Sequence, residues 1–156
     1  MEYKTNVMRI LDAHKIFYQH FSYDVNPSMT GVDIARAQNQ NPDIVFKTLL
    51  TMAKPGRYYV FLVPVAYELD LKRAAIAVNE KSLNMVHQRD LLGVCGYIHG
   101  GCSPIGMKKL FPTVIDSAAE KLDKIIVSAG RPGHQVMILP SDLLKLVPFK
   151  YADIAI

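Results

Sequence analysis

The spacing of apolar and polar residues predicts a chain with more short strands than helices. Apolar positions recur at helical spacing over residues 5–15, which predicts a first amphipathic helix. Residues 46–52 and 57–63 are rich in β-branched and aromatic side chains and flank Pro55 and Gly56, so they predict an antiparallel hairpin. Further helices are predicted over residues 31–38, from about residue 70, over residues 87–92, and from a cap at Ser141 or Asp142 to residue 147. Further strands are predicted over residues 17–23, 82–86, 96–99, 113–115, 124–128 and 135–139.

This element order predicts an α+β fold, because the strands are joined mostly by short turns and the helices are interspersed. We expect a mixed, mostly antiparallel sheet with helices packed around it. The chain has 156 residues and 50% apolar content, enough for one core, so residues 1–156 are predicted to form a single domain. The first six residues carry charge where a signal peptide would have its apolar core, so we expect a soluble, cytoplasmic protein without a membrane partner.

Charge and cysteine usage narrow the candidate functions only slightly. Eighteen Lys and Arg residues against fourteen Asp and Glu residues give a formal net charge of +4. This balance fits an anionic partner such as a nucleic acid but does not require one. Cys95 and Cys102 are the two cysteines, too few for a disulfide scaffold, and we expect reduced thiols.

Residues 100–106 contain three glycines and a proline, a composition typical of a loop whose backbone a ligand can approach. A predicted strand over residues 96–99 would hold this loop at a fixed position. A second glycine-rich turn lies within residues 128–135 and carries Arg131 at its tip, where the side chain could meet a phosphate. Each segment could also be an ordinary turn.

Lys47 is the one charged residue within an otherwise apolar and threonine-containing strand. Strand alternation places it on the face opposite Phe46 and Leu50. The lysine could be a solvated residue of an outer face, or a cation that faces a cleft and pairs with a phosphate or a developing oxyanion.

Two alternative sites involve the cysteines. Cys95, His99 and Cys102 form a C-x3-H-x2-C pattern, with His87 as a conceivable fourth zinc ligand, although structural zinc sites usually take ligand pairs from separate turns. A Cys102 nucleophile activated by His99 is also chemically possible. The chain has no P-loop, no dinucleotide-binding glycine fingerprint and no G-x-S-x-G motif, which disfavours phosphoryl transfer, dinucleotide redox and α/β-hydrolase chemistry.

Residues 45–50, 63–73, 96–106 and 128–130 together resemble the YbaK/EbsC family, the free-standing relatives of the bacterial prolyl-tRNA synthetase editing domain. The resemblance runs in order from about residue 3 to residue 154. It implies a partly barrel-like sheet and deacylation of aminoacyl-tRNA in trans, without a cofactor or a metal. For the YbaK branch it implies Cys-tRNA(Pro) as substrate, with the acceptor end of tRNA(Pro) as the partner and prolyl-tRNA synthetase as a second candidate partner.

Carried over by position, the resemblance makes Lys47 the essential lysine, with an electrostatic and positioning role. Gly100 and Pro104 match the family's G-x-x-x-P loop, and the amides of Gly100 and Gly101 are expected to hold the carbonyl or oxyanion. Ser103 is expected to add a hydroxyl donor. Because the family has no protein nucleophile or metal, the attacking group is expected to be the substrate's own thiolate, a ribose hydroxyl or water.

Two further residues concern the choice of amino acid. Tyr23 matches a tyrosine near the end of the first strand and is expected to shape the aminoacyl pocket. Gln135 stands where several cysteine-specific relatives have an aspartate, and a glutamine cannot attract the substrate's α-ammonium as a carboxylate would. A deacylase that prefers alanine or serine therefore stays open, as does a module that binds tRNA or a synthetase without catalysis.

Overall fold

The structure is a computed structural model that describes residues 3–156. Within this range the chain forms five α-helices and eight strands, with short 3-10 helices at Pro42–Ile44 and Ser117–Lys121. The helices are α1 (Asn6–Ala13), α2 (Gly31–Ala37), α3 (Leu71–Ala77), α4 (Gln88–Cys95) and α5 (Pro140–Leu146). The strands are β1 (Gln19–Ser22), β2 (Phe46–Lys54), β3 (Arg57–Pro64), β4 (Asn84–Met85), β5 (Thr113–Asp116), β6 (Ile125–Ser128), β7 (His134–Ile138) and β8 (Phe149–Ala152).

The strands form two open sheets. The larger sheet has the order β4-β2-β3-β5-β8, and the smaller one the order β1-β7-β6. Pairing is antiparallel except between β3 and β5 and between β5 and β8. An isolated parallel bridge from Val45 to Ile126 connects the sheets. The predicted α+β class and the mixed, mostly antiparallel pairing are confirmed, whereas the partly barrel-like closure is not, because strands β4 and β8 end the larger sheet unpaired with the smaller one.

One apolar core lies between these layers. Its buried residues come from α1, from both sheets and from α5, as Leu11, Leu50, Val136 and Leu143 illustrate. A second buried cluster packs α3 against the larger sheet around Phe61. Strand β2 contributes side chains to both clusters, because alternate residues point to opposite faces of a sheet. Packing on both faces holds β2 in place, and with it Lys47.

Local sequence explains where several elements begin. Thr5 caps α1 by accepting the Met8 N–H, and Thr30 forms a reciprocal capping box with Asp33 at the start of α2. The last helix begins earlier than its predicted cap at Ser141 or Asp142. Pro140 occupies the first turn of that helix, where a fixed φ is compatible with helix and a missing N–H costs nothing.

The structure corrects the prediction around residue 96. Instead of a strand over residues 96–99, α4 extends to Cys95 and ends at Gly96, whose φ of +91° is the left-handed C-cap conformation. Strand β8, which pairs with β5, was not predicted, because its four residues lack clear alternation.

None of the helices formed by residues 3–156 is long and apolar enough to cross a lipid bilayer.

Candidate active site

A cavity of about 600 Å3 opens between the two sheets and the N-terminal part of helix α2. Strand β2 contributes Lys47 and Thr48 to its wall, and the loop after α4 contributes Gly100. Strand β7 contributes Gln135, and Tyr23 follows β1. The structure thus brings together Lys47, Gly100, Tyr23 and Gln135, which are distant in sequence.

Lys47 lines this cavity from the open end of the β2–β3 hairpin, close to the start of β2. It pairs in register with Val63 of β3, and its side chain is 28% exposed. The Nζ atom lies 3.3 Å from Oε1 of Glu68, a carboxylate whose side chain is 81% exposed. An ion pair with so exposed a partner contributes little to stability and can be exchanged for a ligand group. Lys47 is therefore a positioned cation that a bound anion can reach.

Glu68 was not identified from the sequence. It lies beyond the end of β3, and its backbone N–H and C=O both bond to Ile156, at 2.9 Å each. This pairing holds the segment next to the hairpin. Because the contact joins residues far apart in the chain, no local pattern indicated that a carboxylate would meet Lys47.

The glycine loop presents two unpaired amides at the cavity. Gly100 has a backbone φ of +86°, a conformation that residues other than glycine rarely adopt. Among the described residues, the amides of Gly100 and Cys102 donate no hydrogen bond to another backbone group. Both residues line the cavity, so these N–H groups can bind an oxygen atom of a ligand.

Gly101 contributes to the packing of the loop and not to the donors that line the cavity. Its N–H donates to the Ile98 carbonyl at 3.0 Å, so the amide is not free to hold an oxyanion as predicted. A Cβ atom on Gly101 would lie 2.7 Å from Cδ of Pro132, which shows that the loop packs closely against the second glycine-rich turn. The unpaired donors of this loop are its neighbours Gly100 and Cys102.

Three predicted substrate-binding residues lie away from the cavity. Ser103 is fully buried, and its Oγ accepts the Ile105 N–H at 3.3 Å. Pro104 lines a separate cavity of about 190 Å3 next to helix α5. Arg131 is exposed and lies over the ring of Tyr3, with Cζ 5.8 Å from the ring centroid. The structure does not bring these three side chains to Lys47.

Gln135 belongs to a cluster of three glutamines that sequence reasoning missed. Its Oε1 accepts hydrogen bonds from Nε2 of Gln38 and from Nε2 of Gln40, each at 3.0 Å. Gln135 is only 8% exposed, so this double acceptance fixes its amide. With the oxygen bonded inward, the amide nitrogen of Gln135 is the group left to face a ligand. The only sequence signal was the polar run of residues 38–41 after helix α2.

We expect Gln135→Met to lower the free energy of unfolding by about 1–3 kcal/mol, because it leaves the buried Gln40 amide and the partly buried Gln38 amide without their acceptor. For the aminoacyl-tRNA substrate that the family resemblance implies, KM should rise more than kcat falls. Chemical denaturation and steady-state kinetics measure both effects. Gln88→Met is the matched control, since Gln88 lines the same cavity but is exposed. Equal stability of both variants would show that the two hydrogen bonds to Gln135 do not hold its side chain in place.

Cys102 of the glycine loop lies next to Cys95, the last residue of α4. Cys95 is buried and its Sγ donates to the Leu91 carbonyl at 3.2 Å. The hydrogen bond with Cys95 and burial both raise the pKa of the Cys102 thiol, which disfavours the thiolate that a nucleophile requires. His99 is exposed, and residues 3–156 contain no group of three or more His, Cys, Asp or Glu side chains placed to hold a metal ion.

Substitution of Cys102 tests the thiol directly. Since its protonated form is favoured, we expect folded Cys102→Ala to keep the deacylation that the family resemblance implies within about threefold of the unaltered protein. Rates of ester cleavage, together with a thermal melting curve, measure this. A variant that melts normally but has lost activity would assign the reaction to a thiol nucleophile.

Comparison with known proteins identifies the kind of domain. The model of the aminoacyl-tRNA editing domain family matches residues 25–146. The chain belongs to this family. An Enterococcus faecalis member, EbsC, provisionally named as a Cys-tRNA(Pro)/Cys-tRNA(Cys) deacylase, is 38% identical over 152 residues, covering 97% of this chain and 93% of its own. The predicted family resemblance is confirmed.

Solved structures share the fold of this editing domain. A crystal structure described provisionally as a trans-editing enzyme for prolyl-tRNA synthetase has a TM-score of 0.81 at 20% identity, with 99% of each chain covered. A protein described only as hypothetical has a TM-score of 0.85 at 17% identity, covering 97% of this chain and all of its own. At these identities the likeness establishes the arrangement of elements in the editing domain.

Proposed function

We propose that the protein is a trans-acting deacylase that clears mischarged aminoacyl-tRNA, with Cys-tRNA(Pro) as its main substrate. The observation that carries this proposal is that the Lys47 side chain and the unpaired amide of Gly100 line one cavity. The name of the 38% identical relative supports the same substrate. As a participant in translation, the deacylase would act in the cytoplasm.

The need for such an activity follows from the limits of binding selectivity. A synthetase pocket shaped for proline cannot strongly reject an amino acid of similar size, because small differences in side-chain contacts are worth only about 1–3 kcal/mol. Cysteine is close to proline in size. A second site that cleaves the wrong ester therefore supplies discrimination that the first site lacks.

The cavity supports catalysis by positioning and electrostatics. In the hydrolytic form of the reaction, water attacks the ester carbonyl carbon, and the carbon–oxygen bond to the terminal ribose breaks. The ribose oxygen leaves with a proton, which the attacking water supplies. The negative charge that develops on the carbonyl oxygen is stabilised by the amides of Gly100 and Cys102, which line the cavity and donate no hydrogen bond to another backbone group.

Lys47 would hold the terminal ribose or phosphate and thereby place the ester against those amides. Binding of the anion displaces the exposed carboxylate of Glu68 from the ammonium group. Positioning of this kind can contribute strongly to the rate without any proton transfer from the lysine. When the substrate carries cysteine, its own thiol can replace water: sulfur bonds to the carbonyl carbon, the bond to the ribose oxygen breaks, and the thiol proton ends on that oxygen. The products are then a cyclic thioester and free tRNA.

The remaining cavity wall supports recognition of the aminoacyl group. Tyr23 is half-buried, and its N–H donates to the Gly133 carbonyl at 2.9 Å, which holds the residue at the end of β1. Gln135 presents an amide donor instead of a carboxylate, so it favours a substrate side chain that accepts a hydrogen bond. The Thr48 Oγ1 atom is buried without a hydrogen-bond partner within the described part of the chain, and it lies beside this wall.

A deacylation panel tests the proposed function. Purified protein is incubated with tRNA(Pro) charged with cysteine, alanine, serine or proline, with and without prolyl-tRNA synthetase. We expect release of cysteine to be faster than release of proline. Acceleration by the synthetase would support it as a second partner. Failure to cleave any of the esters would reject the deacylase and favour a non-catalytic tRNA-binding module.

A further inference from the structure

A stack of four side chains lies next to the candidate active site. The rings of Tyr3 and His134 have centroids 4.7 Å apart and planes inclined by 25°. His20 continues the row edge to edge with His134, with ring centroids 5.2 Å apart and planes inclined by 19°, and the Arg131 guanidinium lies 5.8 Å from the Tyr3 centroid. We call these four residues, Arg131, Tyr3, His134 and His20, the ring stack.

The ring stack is attached to the cavity and to the scaffold around it. His134 is in strand β7 and lines the same cavity as Lys47 and Gly100. Its Nδ1 atom lies 2.9 Å from Nε2 of His20, a hydrogen bond that joins β7 to the neighbouring strand β1. The stack therefore extends from the cavity wall to the exposed side chains of Tyr3 and Arg131.

Packing of the core does not explain this arrangement. Tyr3 is 47% exposed, and the neighbouring ring of Phe17 is 82% exposed. Tyr3 stands between two shallow surface cavities of about 440 and 520 Å3, one lined by Phe17 and His20 and the other by Arg9 and Arg131. Contiguous exposed rings next to cationic side chains are more typical of a binding surface than of isolated exposed residues.

The chemistry of this surface fits a single-stranded nucleic acid. Bases stack on aromatic rings and guanidinium planes regardless of sequence, while arginine side chains contact the phosphates. Burial and the neighbouring His20 and Arg131 all lower the pKa of His134. This lowering favours the neutral form of the His134 ring, which can then lie against the Tyr3 ring and bond to His20 without an unpaired charge.

We propose that the ring stack binds the unpaired 3′ nucleotides of an RNA whose terminal aminoacyl ester enters the adjoining cavity. This inference rests on the proposed function, because it assigns the path by which the substrate reaches Lys47. His134 belongs to both surfaces, so a strand stacked along the rings leads directly to the cavity wall.

Kinetics with two substrates separates this role from catalysis. Full-length Cys-tRNA(Pro) reaches both the ring stack and the cavity, whereas cysteinyl-adenosine reaches only the cavity. For Tyr3→Ala and His20→Ala, we expect KM for the charged tRNA to rise about tenfold or more with kcat unchanged. Turnover of cysteinyl-adenosine should stay within about twofold. Tyr67→Ala is the matched control, because Tyr67 is 48% exposed and lies outside the ring stack.

An unchanged KM for charged tRNA would overturn the inference while leaving the proposed function intact. An equal loss on both substrates would also overturn it, because the stack would then only support the cavity. If the unaltered protein cleaves neither substrate, the proposed function fails, and a binding experiment then tests the ring stack independently of catalysis.

Fluorescence anisotropy should show tighter binding of an RNA hairpin with a single-stranded 3′ tail than of the blunt hairpin, and Tyr3→Ala should abolish this preference. Equal binding of both hairpins by the unaltered protein would assign the surface to another partner.

Discussion

Replacement of Lys47 by alanine is expected to lower kcat/KM for deacylation of Cys-tRNA(Pro) on the order of a hundredfold or more. The alanine removes the cation that holds the terminal nucleotide against the amides of the glycine loop. Stability should change little, because the Glu68 partner of Lys47 is mostly exposed. Single-turnover cleavage of charged tRNA and thermal melting measure the two effects.

Lys54→Ala is the matched control for this substitution. Lys54 is an exposed lysine in the same strand, at the hairpin end, where it pairs in register with Arg57. Its loss changes the net charge equally but leaves the cavity unaltered, so deacylation should be retained. If both variants lose activity to the same extent, the effect comes from the general charge of the protein and not from Lys47.

The second large effect is expected from Gly100→Ala. An alanine at φ +86° is strained, so the loop either adopts a different conformation or loses about 1 kcal/mol of unfolding free energy. A shift in the loop misaligns the donors at Gly100 and Cys102. Since removal of one oxyanion donor typically lowers the rate about a hundredfold or more, we expect a loss of that order in kcat.

Gly56→Ala separates strain from catalysis. Gly56 has φ +87° in the turn between β2 and β3, and a Cβ atom there would meet no other atom within 4 Å. This variant therefore carries the same kind of backbone strain outside the cavity. It should lose a similar amount of stability and keep its deacylase activity. A Gly100→Ala protein as active as Gly56→Ala would remove the Gly100 amide from the mechanism.

The sequence predicted the parts of the site that depend on local geometry. Alternation along β2 placed Lys47 on the face opposite Phe46, and β2 and β3 form the predicted antiparallel hairpin around Pro55 and Gly56. The accumulation of glycines indicated a loop with accessible backbone, and Gly100 has the positive φ that such a loop requires. These features follow from strand periodicity and from the conformational range of glycine.

The residues that the sequence did not reveal depend on contacts between distant segments. Glu68 meets Lys47 because the segment after β3 pairs with Ile156, and Gln38 and Gln40 meet Gln135 because α2 packs near β7. Ser103 differs from these residues, because its buried Oγ accepts the Ile105 N–H within the same loop. A loop composition indicates that a backbone is accessible, but only packing decides which of its side chains point away from the ligand.

The two glycine-rich segments illustrate the same limit. Each was considered separately, either as a ligand-binding loop or as an ordinary turn, yet Gly101 of one packs against Pro132 of the other. One consequence is that Arg131 lies outside the cavity and over Tyr3. The sequence contained both the arginine and the aromatic residue, but their separation along the chain concealed the ring stack.

The central claim is that Lys47 and the Gly100 amide hold one aminoacyl ester between them. It is tested most directly by a crystal structure of the protein with a non-hydrolysable amide analogue of cysteinyl-adenosine. We predict that Nζ of Lys47 leaves Glu68 and contacts the terminal ribose or its phosphate, with the analogue's carbonyl oxygen in hydrogen-bond contact with the Gly100 N–H. An analogue bound elsewhere, with Lys47 still paired to Glu68 and the Gly100 amide unoccupied, would contradict the account.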